Sequence, residues 1–291
     1  MPKIAILVPD PDHTAYAPML PIQRGILTAA LALDGIVPDF VPWTSGADLA
    51  RYDLVLPLLV WGYHDAPALW RAKLDDWEAA NIRMANPPAM LRWNGEKTYL
   101  LDFADRGAPV VPSVFAEAAT PALLDEARAV FGDIALIAKP TISAGAHGVI
   151  PVQPGNPLPE SALGGPTLIQ PMLPAISSEG EYSLFYFGGA FSHAVLKVPQ
   201  SGDFRVQIQY GGRNVATEAP PAALAAAQSV LALIGAPPLY ARVDLVADGA
   251  GGYLLMELEL IEPQLFFELA PDRGLAFARA VRRAAAPNAA R

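Results

Sequence analysis

The chain contains no cysteine. That removes disulfides, thiolate metal ligands and cysteine nucleophiles together, though it fixes no compartment. Positive charge is also scarce: 20 lysines and arginines stand against 29 aspartates and glutamates, a net charge of −9. No broad nucleic-acid or anionic-membrane surface is expected on such a chain, although a local basic pocket is compatible with it. No apolar run approaches the roughly 18 residues that a membrane helix needs. The opening residues, MPKIAILVPD, meet Pro9 and Asp10 too early and lack the cleavage site of a signal peptide. A soluble, cytoplasmic protein is therefore expected, with neither nucleic acid nor membrane as partner. What is abundant is apolar: hydrophobic residues make up 53% and charged residues only 17% of 291 residues, enough for a sizeable core and against disorder. Within the basic set lysine is rare. Lys3, Lys73, Lys97, Lys139 and Lys197 are all there are, so a lysine in an apolar strand asks for a reason.

A strand at 3–8, helical spacing over 20–34, a strand at 37–42, a strand at 53–61 broken by Pro57 and a helix at 67–80 alternate. That order predicts an α/β layer on a parallel sheet. Loops after the carboxyl ends of such strands usually face ligands. Here they are 9–21 and 61–67, carrying His13 and His64. Residues 86–95, with paired prolines and a glycine, read as a linker. Beyond it, helices are expected at 96–106, 121–131, 221–234 and 272–285. Strands are expected at 109–115, 134–139, 149–153, 167–172, 181–187, 190–197, 205–210, 240–247 and 253–260.

Chemistry concentrates in three places. Over 240–247, strand alternation puts Tyr240, Arg242 and Asp244 on one face and Ala241, Val243 and Leu245 on the other. A turn at 248–252 predicts a hairpin. On its return, Leu254, Met256, Leu258 and Leu260 share the apolar face, while Leu255, Glu257 and Glu259 share the other. Three carboxylates so close repel unless a cation joins them or water screens them. Their hard oxygens suit Mg²⁺; a solvated sheet face is the alternative. The second place is Lys139, at the end of an apolar strand just before a loop holding Gly145 and Gly148. Glycines let backbone amides approach an anion, and lysine adds a point charge. A snorkelling lysine before an ordinary turn is the other reading. The third is Gly202-Asp203-Phe204-Arg205, with Lys197 upstream and Arg213 downstream: either an anion site or a charged loop rim. The four histidines show no metal-ligand spacing.

The order of these signals is more specific than any one of them. Asn94-x-x-Lys97, a strand lysine before a glycine loop, Gln170-Pro171-Met172-Leu173, Glu181, Gly-Asp-Phe-Arg, Arg242-x-Asp244 and Glu257-x-Glu259 follow one another over 94–263. This resembles the ATP-grasp superfamily, on the glutathione synthetase and ribosomal-protein glutamate ligase side. Arg92-Trp93-Asn94, Lys97-x-Tyr99-Leu100 and Glu257-Leu-Glu-Leu-Ile-Glu-Pro are similar to the D-cycloserine-forming cyclo-ligases of antibiotic biosynthesis. The resemblance implies an α/β ATP-grasp fold: an N-terminal open parallel-sheet substrate domain (1–93), a small lobe (94–173) and a large lobe with the metal site (174–291).

The resemblance also implies residue roles. Lys97 and Lys139 would bind ATP phosphates under a loop running from Ser143 through Gly145 and Gly148. Gln170, Met172 and Leu173 would line the adenine and Glu181 would hold the ribose. Asp244, Glu257 and Glu259 would hold Mg²⁺. Arg205, Arg242 and Lys197 would stabilise the transferring phosphoryl group. The acceptor site would lie between the N-terminal loops and the arginines, with His13, Tyr16, Tyr63, His64 and Asp65 as its polar groups. Many members have Asn where this chain has Glu259, and the usual Ser-Pro-Gly ending is missing. The implied activity is ATP-dependent activation of a small amino acid's carboxylate, followed by C–N bond formation, in a monomer or homodimer. A ligase with another amine acceptor, an inactive nucleotide-binding module and an unrelated sugar- or amino-acid-binding protein stay open.

Overall fold

Three sheets, one parallel and two antiparallel, carry the chain in this computed structural model, which describes residues 1–202 and 205–287. The first third contains β1 (Ile4–Val8), α1 (Leu20–Ala32), β2 (Pro38–Pro42), β3 (Leu54–Leu56) and α2 (Pro67–Ala79). Its strands form the expected parallel sheet in the order β2-β1-β3. The third strand is shorter than its apolar run. Pro57 has no N–H to donate to a ladder, so the chain leaves the sheet there.

The expected linker is mostly a helix, α3 (Pro88–Asn94), followed by α4 (Tyr99–Asp105). The prolines that suggested a linker stand at a helix start, where a missing N–H costs nothing. Two asparagines tie this segment down. Asn94 donates to the Leu258 carbonyl at 2.8 Å and accepts from the Leu260 N–H at 2.9 Å. Asn86 donates to the carbonyls of Tyr240 and Leu260 at 3.0 and 2.8 Å.

A four-stranded antiparallel sheet follows, built from β4 (Val114–Ala116), β5 (Leu136–Pro140), β6 (Ile150–Val152) and β7 (Thr167–Pro171) in the order β4-β7-β5-β6. Helix α5 (Pro121–Phe131) buries Leu123, Leu124 and Ala127 in the core of this sheet. The single strand expected at 109–115 is divided instead. Val111 donates to the Leu255 carbonyl of the next sheet, and only Val114–Ala116 joins this one. Pro109 and Pro112 break the ladder between them.

After a short α6 (Ala175–Ser178), the largest sheet runs β10-β9-β8-β11-β12, all antiparallel. Its strands are β8 (Glu181–Phe187), β9 (Ala190–Val198), β10 (Arg213–Thr217), β11 (Tyr240–Ala247) and β12 (Tyr253–Glu259). Helix α7 (Pro221–Ala232) covers one face with Ala223, Ala226, Ala227 and Val230. The expected strand at 205–210 does not form; a single 3-10 turn occupies Ile208–Tyr210, and the ladder is made by β10. Arg205 folds back over the Tyr210 ring, 3.8 Å from its centroid, which an extended strand could not allow. The last helix, α8 (Leu275–Ala285), returns to the N-terminal third and shares one apolar cluster with β1, α1 and β3. Among the described residues, no helix is long and apolar enough to cross a membrane.

Candidate active site

Strand β11 alternates as its sequence dictates. Ala241, Val243 and Leu245 enter the core beneath α7, while Arg242 and Asp244 point to the opposite face. Register places Asp244 against Ser183 on β8, and Glu181 against Lys197 on β9. The result is a buried charge network. Lys197 Nζ lies 2.7 Å from Glu181 and 3.1 Å from Asp244. Arg242 Nε lies 3.0 and 3.1 Å from the two Asp244 oxygens, and its Nη2 meets Glu259. Ser183 donates to Asp244 at 2.5 Å. Burial alone would raise the Asp244 pKa, but Arg242 and Lys197 outweigh it and bring it down to about 2. Burial also pushes Glu259 up, to about 7, with Glu257 and Asp244 adding to it and Arg242 opposing.

Strand β12 departs from simple alternation. Asp244 pairs with Glu257, but Leu245 pairs with Leu255, so Met256 is an extra residue in a β-bulge. The bulge corrects the expected faces. Leu255 joins Leu258 and Leu260 in the core, whereas Leu254 and Met256 pack with Val111, Ile176, Val206 and Val246. Met256 and Glu257 therefore both line the cavity.

That cavity, about 860 Å³, lies between the two antiparallel sheets and the N-terminal loops. From the small sheet, Lys139 enters it at the end of β5. Burial lowers its pKa to about 8, with Lys97 adding repulsion and Glu257 opposing. Lys97 is 3.0 Å from Glu257 and donates to the Ser143 carbonyl at 2.8 Å. Three residues of the loop after β5 have positive φ: Gly145 at 60°, Ala146 at 62° and Gly148 at 73°. A Cβ at Gly148 would lie 2.8 Å from Pro140 Cγ, so glycine is required there. Gln170 turns its side-chain amide to Ser113 at 2.8 Å. Met172, Leu173 and Ile176 give this end of the cavity an apolar wall.

From the N-terminal loops, Tyr16, Tyr63 and His64 line the cavity. His13 stacks behind Tyr16 with ring centroids 4.5 Å apart, and Asp65 sits beside His64 at 3.6 Å with its side chain 58% exposed. Neither belongs to the lining, nor does Gly148. Arg205 does, but Asp203 and Phe204 lie outside the described residues, and Arg213 is exposed on β10.

Glu262 is the lining residue that the sequence pattern hid. Strict alternation would send it to the core side with Leu258 and Leu260. The strand ends at Glu259, and the turn that follows brings Glu262 back toward Trp61 and the cavity. The signal available was the change in glutamate spacing from two to three, followed by Pro263.

No three acidic or histidine side chains converge as a cation cage among the described residues. Mg²⁺ characteristically takes one or two carboxylates and completes its shell with phosphates and water, so a cage is not what it needs. Glu257 and Glu259 fit that role: their side chains are 34% and 28% exposed, both toward the cavity. Asp244 is fully enclosed, and both its oxygens already accept hydrogen bonds.

Known proteins resemble this chain in sequence and in fold. The family model described as D-cycloserine synthetase DcsG, N-terminal domain, matches residues 4–86. The cycloserine biosynthesis protein DcsG of Streptomyces lavendulae is 29% identical over 292 residues, covering 90% of this chain and 94% of that protein. The crystal structure of D-cycloserine synthetase DcsG superimposes with a TM-score of 0.81 at 25% identity, over 97% of this chain and all of that one (100%). The chain has the ATP-grasp fold and is related to D-cycloserine synthetase. Its fold is shared more widely. D-alanine–D-alanine ligase from Bacillus anthracis matches with a TM-score of 0.69 at 13% identity, covering 98% of this chain and 97% of that one. The ATP-grasp ligase PsnB, solved with its minimal precursor, Mg and ADP, matches at 0.63 and 18% identity, with 97% of each chain covered. The ATP-grasp arrangement accounts for the cavity's position between two antiparallel sheets, with the parallel sheet's loops at its mouth.

Proposed function

We propose that this protein is a ligase that activates the carboxylate of a small amino acid with ATP and then joins it to a nitrogen. The favoured substrate is O-ureido-D-serine, closed to D-cycloserine. The observation that carries the reading is the shared cavity. Lys97, Lys139, Lys197 and Arg242 line it together with Glu257 and Glu259, below a glycine loop and beside an apolar wall. Such a set suits a nucleoside triphosphate: an apolar slot for the base, cations for the phosphates, and carboxylates for Mg²⁺.

In this reading the units at 1–93, 94–173 and 174–291 act as substrate domain, small lobe and large lobe. Lys97 and Lys139 bind the phosphates beneath Ser143, Gly145 and Gly148. Met172 and Leu173 flank the base next to Gln170, and Glu181 holds the ribose. Arg205, Arg242 and Lys197 face the transferring phosphoryl group. Glu257 and Glu259, with Asp244 behind them, would hold Mg²⁺, which would supply neutralisation of charge on the phosphates. The terminal phosphoryl group of ATP passes to a substrate carboxylate oxygen, leaving ADP and an acyl-phosphate. A nitrogen of the same substrate attacks the acyl carbon, expels phosphate and loses a proton, with the carbamoyl group lost to water. The protein supplies alignment and charge neutralisation and no nucleophile, which agrees with a chain without cysteine. Closure of the glycine loop keeps water from the acyl-phosphate.

The test is ADP release across a panel of amino acids, with and without Mg²⁺. Release stimulated by O-ureido-D-serine and abolished by chelation is the expected result. Stimulation by another carboxylate alone would remove the cyclo-ligase assignment and leave the ligase class. No stimulation by any amino acid would remove both.

A further inference from the structure

We infer that Glu262 selects substrates carrying an ammonium group and turns them so that their carboxylate faces the cations across the cavity. The inference rests on the amino-acid ligase reading and assigns a residue to its substrate specificity. Among the described residues, five carboxylates line the cavity: Glu181, Asp244, Glu257, Glu259 and Glu262. The first four each stand within ion-pair distance of Lys197, Lys97 or Arg242. Glu262 has no such pair among the described residues; the Trp61 side chain is near enough to favour its charged form. Glu262 is partly exposed to the cavity; a carboxylate partly withdrawn from water without a cation is unfavourable, and a ligand that brings the cation removes the deficit.

Its surroundings fit a small ammonium. Trp61 and Tyr16 line the same region with ring centroids 5.4 Å apart, and aromatic faces attract cations. Burial and then Glu262 push up the pKa of the Tyr63 hydroxyl, which puts Tyr63 within electrostatic reach of the carboxylate. Burial raises Glu262 itself to about 8, with Glu259 and Glu257 adding repulsion against the opposing pull of Arg242 and the Trp61 side chain. Near neutral pH the substrate-free protein therefore keeps a proton on Glu262, which an arriving ammonium displaces by favouring the carboxylate, while the anionic end of the substrate is left to the lysines and to Arg242. A zwitterion is thereby oriented end to end. Asp65, exposed and outside the lining, cannot do this from its present place.

The position of Glu262 is fixed by its neighbours. The Ile261 carbonyl accepts from Tyr240 Oη at 2.9 Å, the Gln264 carbonyl from Arg242 at 3.4 Å, and the Leu265 carbonyl lies 3.1 Å from His193 Nε2. Burial holds His193 at about 4, so its ring is neutral at pH 7 and donates from Nε2. A recognition group held this way does not have to be ordered when substrate arrives.

The experiment compares the wild-type protein with Glu262→Gln, which keeps shape and removes charge. Binding of O-ureido-D-serine and of its des-amino analogue is measured by calorimetry on protein loaded with a non-hydrolysable ATP analogue. ADP release is measured in parallel, and thermal unfolding verifies the fold. The wild type should favour the amino acid over the des-amino analogue by about tenfold or more, and Glu262→Gln should erase that preference while ATP-analogue affinity stays within about twofold. Preference retained in Glu262→Gln, no preference in the wild type, or binding of neither ligand would overturn the inference. So would a loss of preference in Asp65→Asn but not in Glu262→Gln. Preference lost in Glu262→Gln without any ADP release in the wild type would support Glu262 and sink the ligase reading.

Discussion

Lys139 has its ammonium buried at the end of β5, and its pKa of about 8 makes nucleotide binding titratable. An arriving phosphate favours the charged form, so the bound-state pKa lies above the free one. The sign follows from linkage. Affinity is at its full value below about pH 8, where free Lys139 is already charged. Above it, each binding event must also take up a proton, and affinity falls by up to about tenfold per pH unit until the bound pKa is reached. Calorimetric titration of an ATP analogue should show this alkaline fall. Lys139→Arg should flatten it, and Lys139→Ala should weaken binding at neutral pH by about tenfold or more. A flat wild-type profile would remove Lys139 from the phosphate site. At this scale the sequence was readable wherever a side chain obeyed its strand. Arg242, Asp244 and Lys139 reach the cavity as alternation and strand ends foretold. Glu262 was not readable, because its direction depends on where β12 stops.

Among the elements, the segment 86–95 carries the clearest lesson. Its composition is that of a linker, yet Asn94 replaces a neighbouring strand along β12, taking one carbonyl and giving one acceptor at 2.8 and 2.9 Å. Asn94→Ala would leave the Leu258 carbonyl and the Leu260 N–H unpaired in a buried place. The expected cost is about 3 kcal/mol, since an unmet buried group costs about 1–3 kcal/mol, read as a lowered midpoint in urea. A loss below about 0.5 kcal/mol, the range of ordinary surface changes, would mean that α3 merely rests against the sheet. The loss should also reach the site, because Glu257 and Glu259 flank Leu258 on the same strand. Other elements failed to be legible for related reasons. The bulge at Met256 inserts one residue into a ladder, which no alternation pattern announces. The 205–210 stretch alternates like a strand but gives up the ladder to an Arg205–Tyr210 stack. Pairing partners distant in sequence decide such cases.

At the scale of the whole molecule, the two faces of the parallel sheet differ: one packs on Trp43, Trp70, Leu74 and Trp77 in a core built almost wholly within residues 1–93, and the other has no core of its own. One cluster joins Ile4, Ile6, Leu31 and Leu56 to Phe185, Phe187 and Tyr240 of the large sheet and to Phe277 and Val281 of α8. The expected boundary at 93 is therefore crossed by shared apolar packing, and the N-terminal third should not unfold by itself. The chain provides its own probe: all five tryptophans, Trp43, Trp61, Trp70, Trp77 and Trp93, lie in residues 1–93. Tryptophan fluorescence reports that third, whereas far-UV circular dichroism reports every helix and sheet. In urea the two signals should change at one midpoint, as cooperative unfolding requires. Phe277→Ala sharpens the test. The ring lies 5.3 Å from both Phe187 and Phe267 by centroid and is fully buried, far along the chain from every tryptophan. Its removal should cost about 3–5 kcal/mol and move the fluorescence and dichroism midpoints down together. A fluorescence transition unmoved by Phe277→Ala, or separated from the dichroism transition in the wild type, would show that 1–93 is held by its own contacts alone.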